Sequence, residues 1–292
     1  MSSPPPITLI AGPTASGKSR LALETAARTG AVIINADSQQ LYADLRILSA
    51  RPTAADEQVA HHFLYGVADA AEAWSVGRWS RSVAPLLDQL AADGRAALIV
   101  GGTGLYFTAL TRGLAEIPDV PKDVRDSAMA LYDAEGETDF RRRLAQRDPD
   151  SAAAIEAGDR QRLTRAWAVA ETTGRSLSDW KTRTTPMLTS GAFERLIVDP
   201  DRTALYDNCD RRVRNMVENG ALDEVKALLE RQLDPALPAM KAVGVRELSA
   251  YLKGESSLET AVAATQQATR NYAKRQMTWF RNQTADWPRT SG

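Results

Sequence analysis

The stretch that decides the fold is Gly12-Pro13-Thr14-Ala15-Ser16-Gly17-Lys18-Ser19, which matches the phosphate-loop pattern G-x-x-x-x-G-K-S/T. An apolar run, residues 7–11, precedes it, and apolar residues with helical spacing follow it over residues 19–27. A strand, a glycine-rich turn and a helix in this order bring the N–H groups of the turn and of the helix N-terminus to one point, which is an anion site. We expect Lys18 to reach the terminal phosphates and the Ser19 hydroxyl to bind Mg²⁺. A glycine- and serine-rich surface turn is the alternative.

The composition is that of a globular protein, with 43% hydrophobic and 25% charged residues and a formal net charge of −1. A net charge near zero gives no overall attraction to RNA, so an RNA interface would depend on local clusters of basic residues. The single cysteine, Cys209, excludes an internal disulfide. Residues 1–6 lack the features of a secretory signal, and no uncharged apolar run is long enough to span a bilayer. We therefore expect a cytoplasmic monomer with no membrane partner.

Two further apolar runs, residues 31–36 and 96–100, predict buried strands. The first run ends at Asp37, which the carboxyl end of a parallel strand would place on the same rim as the phosphate loop. An aspartate that caps the next helix is the alternative. The second run ends in Gly101-Gly102-Thr103-Gly104, where many phosphate-loop nucleotidases have a metal-ordering aspartate. This glycine corner permits close approach of a bulky group to the backbone.

The chain changes character near Glu116. Residues 117–121 predict a hinge, and the residues up to about 190 show helical periodicity without a convincing strand. The run Leu196-Ile197-Val198 then predicts a return to the sheet. We expect an α/β fold of the P-loop type, with a parallel sheet flanked by helices formed by residues 1–115 and 196–292, and a mostly helical insertion over residues 116–195.

Basic residues cluster in two places that suit phosphate contacts. Segment 159–165 carries three arginines, and the predicted helix from Leu258 to Asn282 carries a basic face. On that helix, a rotation of about 100° per residue places Arg270, Lys274 and Arg281 together. The opposite, packing face is predicted to hold Ala261, Thr265, Ala268, Tyr272 and Trp279. A basic stripe is typical of a surface that binds a polyanion, and a solvated helix face is the alternative.

Four separated stretches resemble the signatures of tRNA dimethylallyltransferases, the isopentenyl-tRNA transferases that modify the adenosine immediately 3′ of the anticodon. They are residues 12–19, 35–42, 100–106 and 268–279, and weaker similarities at 159–166 and 243–247 lie between them. This resemblance implies transfer of a dimethylallyl group from dimethylallyl pyrophosphate to the N6 amine of that adenosine. It also implies Mg²⁺ as the working ion and an insertion that contacts the tRNA anticodon arm.

The same resemblance assigns roles to individual residues. It implies that Asp37 accepts the proton of the amine, that residues 12–19 bind the pyrophosphate, and that Lys18, Thr103 and Arg212 complete the catalytic set. The residues that it implies for tRNA binding are Asp37, Ser38, Gln39, Gln40, Thr103, Gln161, Arg162, Leu163, Thr164, Arg165, Arg246, Arg270, Lys274 and Arg275. The chain departs from the family pattern at Leu48-Ser49-Ala50-Arg51-Pro52, where Gly-Thr-Ala-Lys-Pro is usual.

Two other functions use parts of the same sequence. A kinase for nucleotides or small molecules would use the same loop, lysine and hydroxyl to transfer a γ-phosphoryl group. The glycine corner and the long basic helix have no use in such a kinase. A non-catalytic RNA-binding module would explain the arginines but not an intact phosphate loop together with Asp37.

Overall fold

The computed structural model describes residues 7–182 and 184–291, so the proline-rich start of the chain lies outside the described residues. Contacts between Cα atoms divide the chain into two compact units, Met1–Thr111 with Leu188–Gly292 and Arg112–Met187. The sequence placed the insertion four residues later at its start and eight residues later at its end. Among the described residues, no helix is both long and apolar enough to cross a membrane.

The first unit is built on a parallel sheet of six strands in the order β3-β2-β4-β1-β5-β6. The strands are β1 Ile7–Ala11, β2 Val32–Asn35, β3 His62–Phe63, β4 Ala97–Gly101, β5 Phe193–Val198 and β6 Arg289–Thr290. β1, β2 and β4 lie inside the sheet and are continuous apolar runs, as expected for parallel strands covered on both faces. The predicted P-loop-type α/β fold is confirmed.

One strand prediction needed correction. β5 begins at Phe193 and not at Leu196, because Glu194 and Arg195 are exposed and the first half of the strand is therefore not an apolar run. The short strand β3, in which His62 pairs with Ile33 of β2, was not predicted.

Helices flank the sheet of the first unit. They are α1 Lys18–Thr29, α2 Ala54–Val59, α3 Val76–Ala92, α4 Gly104–Thr111, α9 Arg202–Glu218, α10 Ala221–Glu230, α11 Val245–Leu252 and α12 Leu258–Gln283. α3 shows the packing logic: Ser75 caps its first turn, and Trp79, Val83 and Leu87 recur every four residues on its buried face. The Trp79 indole N–H donates to the Asn35 carbonyl at 2.9 Å, which ties the helix to the end of β2.

The second unit consists of α5 Lys122–Ala145, α6 Pro149–Ala154, α7 Arg160–Thr173 and α8 Leu177–Lys181, with no strand among its described residues. Phe140 and Leu144 of α5 pack against Leu163 and Val169 of α7 in its core. Most arginines on its surface have carboxylate partners. These ion pairs are Arg141–Glu137, Arg142–Asp139, Arg143–Glu135, Arg147–Glu171, Arg160–Asp133 and Arg162–Asp159.

Candidate functional site

The phosphate loop joins β1 to α1 and leaves backbone donors without partners. α1 begins directly after Gly17, which has a φ of 93° and offers no side-chain cap, and its first turn contains no acidic residue. The first N–H groups of the helix are therefore available to a bound anion. Ser16 Oγ is also buried without a hydrogen-bond partner among the described residues. At Gly12 a Cβ would lie 2.6 Å from the Val198 carbonyl oxygen, so the loop can sit against β5 only with glycine there.

Two cations and one carboxylate converge beside this loop. Lys18 is buried, and its Nζ donates to the Pro13 carbonyl at 3.1 Å. Burial lowers the pKa of Lys18 to about 8, the charge of Asp37 partly opposes this shift, and Arg212 adds to it. Burial also lowers the pKa of Arg212, whose guanidinium donates to Thr14 Oγ1 at 3.2 Å. The site therefore concentrates positive charge where an anion would reside.

Asp37 lies at the end of β2 and is only 8% exposed. Its Oδ1 accepts the Gln39 N–H at 3.0 Å, and no helix begins at this point, so the carboxylate closes a turn and does not cap a helix. The Asn35 side chain holds both sides of Asp37, because its Oδ1 accepts the Asp37 N–H at 2.7 Å and its Nδ2 donates to the Asp37 carbonyl at 3.0 Å. Asp37 is thus fixed at the rim that the sequence predicted.

Thr103 connects the glycine corner to the residues after Asp37. Its hydroxyl oxygen accepts the Ser38 N–H at 2.9 Å, and its own N–H donates to the Ala36 carbonyl at 3.2 Å. The Tyr272 side chain lies near Gln39 and Thr103, and burial raises the pKa of its hydroxyl. Thr103 therefore holds the strand ends of β2 and β4 together beside the carboxylate.

Gln276 of α12 links the phosphate loop to the glycine corner, and the sequence did not single it out. Its Oε1 accepts the Thr14 N–H at 2.8 Å, and its Nε2 donates to the Gly102 carbonyl at 2.9 Å. A Cβ on Gly102 would lie 2.2 Å from this Nε2, which explains the glycine. In the sequence, Gln276 is recognisable only as an amide side chain on the predicted packing face of a helix. Its hydrogen-bond partners lie 174 and 262 positions away and could not be inferred.

Two voids meet at these residues. The larger, which we call the basic groove, has a volume of about 810 Å³, and its walls include the phosphate loop and the five arginines Arg20, Arg46, Arg51, Arg211 and Arg212. The small cavity has a volume of about 30 Å³. Most of its lining side chains are polar, and the apolar ones are Leu48, Val213, Met216 and Val243. Arg212 and Met216 line both voids. Among the described residues that line them, Asp37 is the single carboxylate.

The predicted metal ligand Ser19 lies exposed in the first turn of α1. Among the described residues, no group of three or more His, Cys, Asp or Glu side chains is placed to hold a metal ion. A magnesium ion here would therefore take most of its ligands from a bound phosphate and from water. That is the usual way in which Mg²⁺ binds at phosphate sites.

The residues that the sequence assigned to tRNA binding do not all reach the surface. Gln161, Arg162 and Arg165 are exposed on α7. Leu163 is fully buried, and Thr164 is buried with its hydroxyl bonded to the Arg160 carbonyl, so neither side chain lies on the surface of α7. Both face the core because positions three and four apart on a helix share one side. Arg246 is exposed on α11.

The basic face of α12 is narrower than predicted. Lys274, Arg275 and Arg281 are exposed, but Arg270 forms an ion pair with Asp210. The predicted packing face was also partly wrong, because Ala268, Tyr272 and Trp279 are only half-buried. The residues that pack are Ala261, Thr265, Gln266, Thr269, Ala273, Gln276 and Phe280. Four further residues assigned to tRNA, Ser38, Gln39, Gln40 and Thr103, are half-buried at the rim, where the Gln40 amide donates to the carbonyls of Ser49 and Ala50.

Comparison with known proteins identifies the family of this chain. A family model described as IPP transferase matches residues 40–283, and one described as isopentenyl transferase matches residues 5–65. The chain is 57% identical over 283 residues to the tRNA dimethylallyltransferase of Caulobacter sp. (strain K31), with 97% of this chain and 92% of that protein aligned. It is 56% identical over 285 residues to that of Phenylobacterium zucineum (strain HLK1), with 98% and 92% aligned.

Solved structures give the same picture. The full-length tRNA isopentenylpyrophosphate transferase from Bacillus halodurans superposes with a TM-score of 0.68 at 32% identity, covering 98% of this chain and 89% of that one. A eukaryotic dimethylallyltransferase acting on tRNA shares the fold, with a TM-score of 0.81 at 24% identity over 94% of this chain and 70% of that one. Since the family model and the relatives match over most of its length, this chain belongs to the IPP transferase family, that of the tRNA dimethylallyltransferases.

Proposed function

We propose that this chain transfers a dimethylallyl group from dimethylallyl pyrophosphate to the N6 amine of the adenosine 3′-adjacent to the anticodon in tRNA, releasing pyrophosphate. The observation that carries the proposal is the position of Asp37. This buried carboxylate lies near Lys18 and Arg212 of the anion site and lines the small cavity. A site for the departing pyrophosphate, a proton acceptor and an adjoining cavity are the parts that such a prenyl transfer needs.

In the proposed reaction, N6 of the adenosine forms a bond to C1 of the dimethylallyl group while the bond from C1 to the pyrophosphate oxygen breaks. The electron pair of that bond leaves with the pyrophosphate, and the N6 proton passes to Asp37. Its Oδ1 is held by the Gln39 N–H, which leaves Oδ2 for the amine. A carboxylate in this position contributes about 10² to 10⁴ in rate as a general base.

The departing pyrophosphate collects negative charge, and the phosphate loop is arranged to receive it. The N–H groups at the start of α1, the Lys18 ammonium and the Arg212 guanidinium all point to the same region. Donors that are fixed in advance where charge develops stabilise a transition state without reorganisation. Mg²⁺, held by Ser19 and the pyrophosphate oxygens, would add Lewis-acid neutralisation of the same charge.

The tRNA partner follows from the nucleophile and from surface charge. An adenine can reach Asp37 only after it leaves its stack, which a nucleotide in a single-stranded loop does at low cost. The glycine corner does not provide the room for the base that the sequence suggested, because Gly101, Gly102 and Gly104 pack against the Ala36 backbone, Gln276 and Trp279. The adenine would therefore reach Asp37 from the open rim of the sheet. Exposed Lys274 and Arg275 on α12 offer contacts to RNA phosphates. We further propose that the enzyme acts as a cytoplasmic monomer.

The competing function is phosphoryl transfer by a kinase. Steady-state assays separate the two, with either dimethylallyl pyrophosphate or ATP as the donor and an unmodified anticodon stem-loop as the acceptor. Pyrophosphate release that requires both the prenyl donor and the RNA supports the proposal. Transfer of the γ-phosphate of ATP to a small acceptor in the absence of RNA would refute it.

A further inference from the structure

Asn35, the last residue of β2, fixes the backbone on both sides of the Asp37 α-carbon. Its side chain is fully buried, with Oδ1 accepting the Asp37 N–H at 2.7 Å and Nδ2 donating to the Asp37 carbonyl at 3.0 Å. Nδ2 also donates to the Leu64 carbonyl at 2.9 Å, in the segment after β3. The oxygen and both N–H groups of the amide thus have partners, so the Asn35 side chain has a single defined orientation.

The three backbone N–H groups that begin the turn after β2 each donate to a side-chain oxygen. The acceptors are Asn35 Oδ1 for Asp37, Thr103 Oγ1 for Ser38 and Asp37 Oδ1 for Gln39. Of the three, the Gln39 N–H alone donates to the Asp37 carboxylate. Every further N–H bond to a carboxylate stabilises its charged form and makes it a weaker base. Asn35 and Thr103 therefore engage two donors next to the carboxylate, and Oδ2 is left for the amine.

The end of β2 has other supports that do not involve the Asn35 side chain. The Ala36 N–H donates to the Val100 carbonyl at 2.8 Å, and the Trp79 indole N–H donates to the backbone carbonyl of Asn35 at 2.9 Å. Both bonds use only backbone atoms of β2, so they remain when the Asn35 side chain is shortened. A shorter side chain removes the direct hold on Asp37 and the link to the segment after β3.

We propose that Asn35 is a positioning residue for the prenyl transfer, which directs Oδ2 of Asp37 toward the attacking N6 amine by holding the backbone on both sides of the aspartate. The inference rests on the proposed function and adds to it the group that orients the base. The bond changes are unaltered: the C1–O bond breaks, the C1–N6 bond forms and Asp37 takes the proton. A displacement of about 1 Å can lower a rate about 10²-fold, so a loosened Asp37 slows the chemical step more than it weakens substrate binding.

The test measures single-turnover rates with saturating dimethylallyl diphosphate and an unmodified anticodon stem-loop. Asn35→Ala should lower the rate about 10- to 100-fold, while the Kd of each substrate changes less than about threefold. Asn35→Ser should give a smaller loss, because a serine hydroxyl can accept the N–H two residues later but cannot replace both Nδ2 bonds. Trp79→Phe is the matched control, since it removes a hydrogen bond at the same strand end. It should lower the melting temperature and keep the rate within about threefold of wild type.

A double variant separates positioning from a general structural effect. If Asn35 acts through Asp37, adding Asn35→Ala to Asp37→Asn should change the single-turnover rate by less than about threefold, because residues that act as a unit are not additive. The same fold loss in both backgrounds would overturn the inference, as would an unchanged rate in folded Asn35→Ala or an equal loss in Trp79→Phe. If Asn35→Ala does not fold, Asn35→Ser takes its place in both backgrounds, with the same outcomes counting against Asn35. A wild-type protein that transfers no prenyl group to the RNA would refute the proposed function instead, so the two failures are distinguishable.

Discussion

Diphosphate binding to the phosphate loop should take up a proton above pH 8. Lys18 is responsible, because burial lowers its pKa from 10.5 to about 8 in the ligand-free protein, with Asp37 opposing the shift and Arg212 adding to it. A diphosphate bound beside Nζ brings negative charge that favours the ammonium form and raises the pKa again. The terminal phosphate of a prenyl diphosphate has itself lost its last proton by this pH, since the corresponding pKa is about 6.

The size of the effect follows from the same pKa. At pH 8.5 a group with a pKa of about 8 is about one-quarter protonated, so binding that restores full protonation takes up about 0.7 to 0.8 of a proton. If binding requires the ammonium form, the dissociation constant should rise about tenfold between pH 7 and pH 9. At pH 7 the uptake should fall to about 0.1 of a proton.

Isothermal titration calorimetry with a non-reactive thio analogue of dimethylallyl diphosphate measures this uptake. Titrations at pH 8.5 in two buffers with different ionisation enthalpies give the number of protons directly. Lys18→Arg is the matched control, because a guanidinium keeps its charge over this pH range. Absence of proton uptake in the wild type, or the same uptake in Lys18→Arg, would refute the assignment to Lys18.

Four further perturbations have defined outcomes. Asp37→Asn keeps the turn but removes the base, so single-turnover rates should fall by about 10² to 10⁴ while the Kd for RNA changes less than about threefold; equal losses would indicate a structural role. Lys18→Met should stabilise the ligand-free protein at pH 7 by up to about 3 kcal/mol in urea unfolding, because the folded pKa lies below the unfolded one. For the same reason, wild-type stability should rise between about pH 8 and 10.5, where the unfolded chain binds more protons, and this rise should vanish in the variant. Arg275→Ala should reduce the slope of log K for RNA against log salt by about 0.7 to 0.9, whereas the paired Arg270→Ala should mainly lower the melting temperature. Gln276→Leu leaves a phosphate-loop N–H and a glycine-corner carbonyl unpaired, so unfolding free energy should fall by about 2 to 5 kcal/mol, and a loss below 1 kcal/mol would contradict the bridging role.

The sequence was most informative where a recognisable motif or a polar residue directly follows a predicted buried strand. The phosphate loop follows a mainly apolar strand, and Asp37 follows another. The rule that ligands bind at the carboxyl ends of parallel strands was therefore enough to predict that the two lie close together. β5 was partly hidden, because Glu194 and Arg195 are exposed on its outer half. The sequence of β5 matches neither the continuous apolar run of a fully buried strand nor the alternation of apolar and polar residues of a half-buried strand.

Contacts between distant parts of the chain were beyond the sequence. Helical periodicity predicts only that Gln276 lies on the packing face of α12. Its role, which is to link the phosphate loop to the glycine corner through two hydrogen bonds, depends on how α12 packs against the ends of the strands. Glu224 of α10 accepts the backbone N–H groups of Ile47 and Leu48, which lie 177 and 176 positions earlier in the chain. Buried amides and carboxylates with far partners can be counted in a sequence, but their partners cannot be identified there.

Surface charge was overestimated where arginines have partners that are distant in sequence. Arg270 pairs with Asp210 of α9, sixty positions earlier, so only part of the predicted basic stripe is available to RNA. Leu163 and Thr164 belong to a segment that resembles a tRNA-contacting motif, yet α7 turns them inward. A motif identifies a segment, and the helix period then decides which of its residues can touch a ligand.

The most direct test of the proposed function locates the transferred group on the RNA. Wild-type protein is incubated with dimethylallyl pyrophosphate labelled in the prenyl chain and with an unmodified anticodon stem-loop, and the digested nucleosides are analysed by mass spectrometry. A parallel stem-loop carries purine riboside, which lacks the N6 amine, at the adenosine next to the anticodon. We predict the label on N6 of that adenosine, with one pyrophosphate released per transfer and no label on the purine stem-loop. Label on the purine stem-loop, or none on the adenosine, would contradict attack by N6 at the site of Asp37.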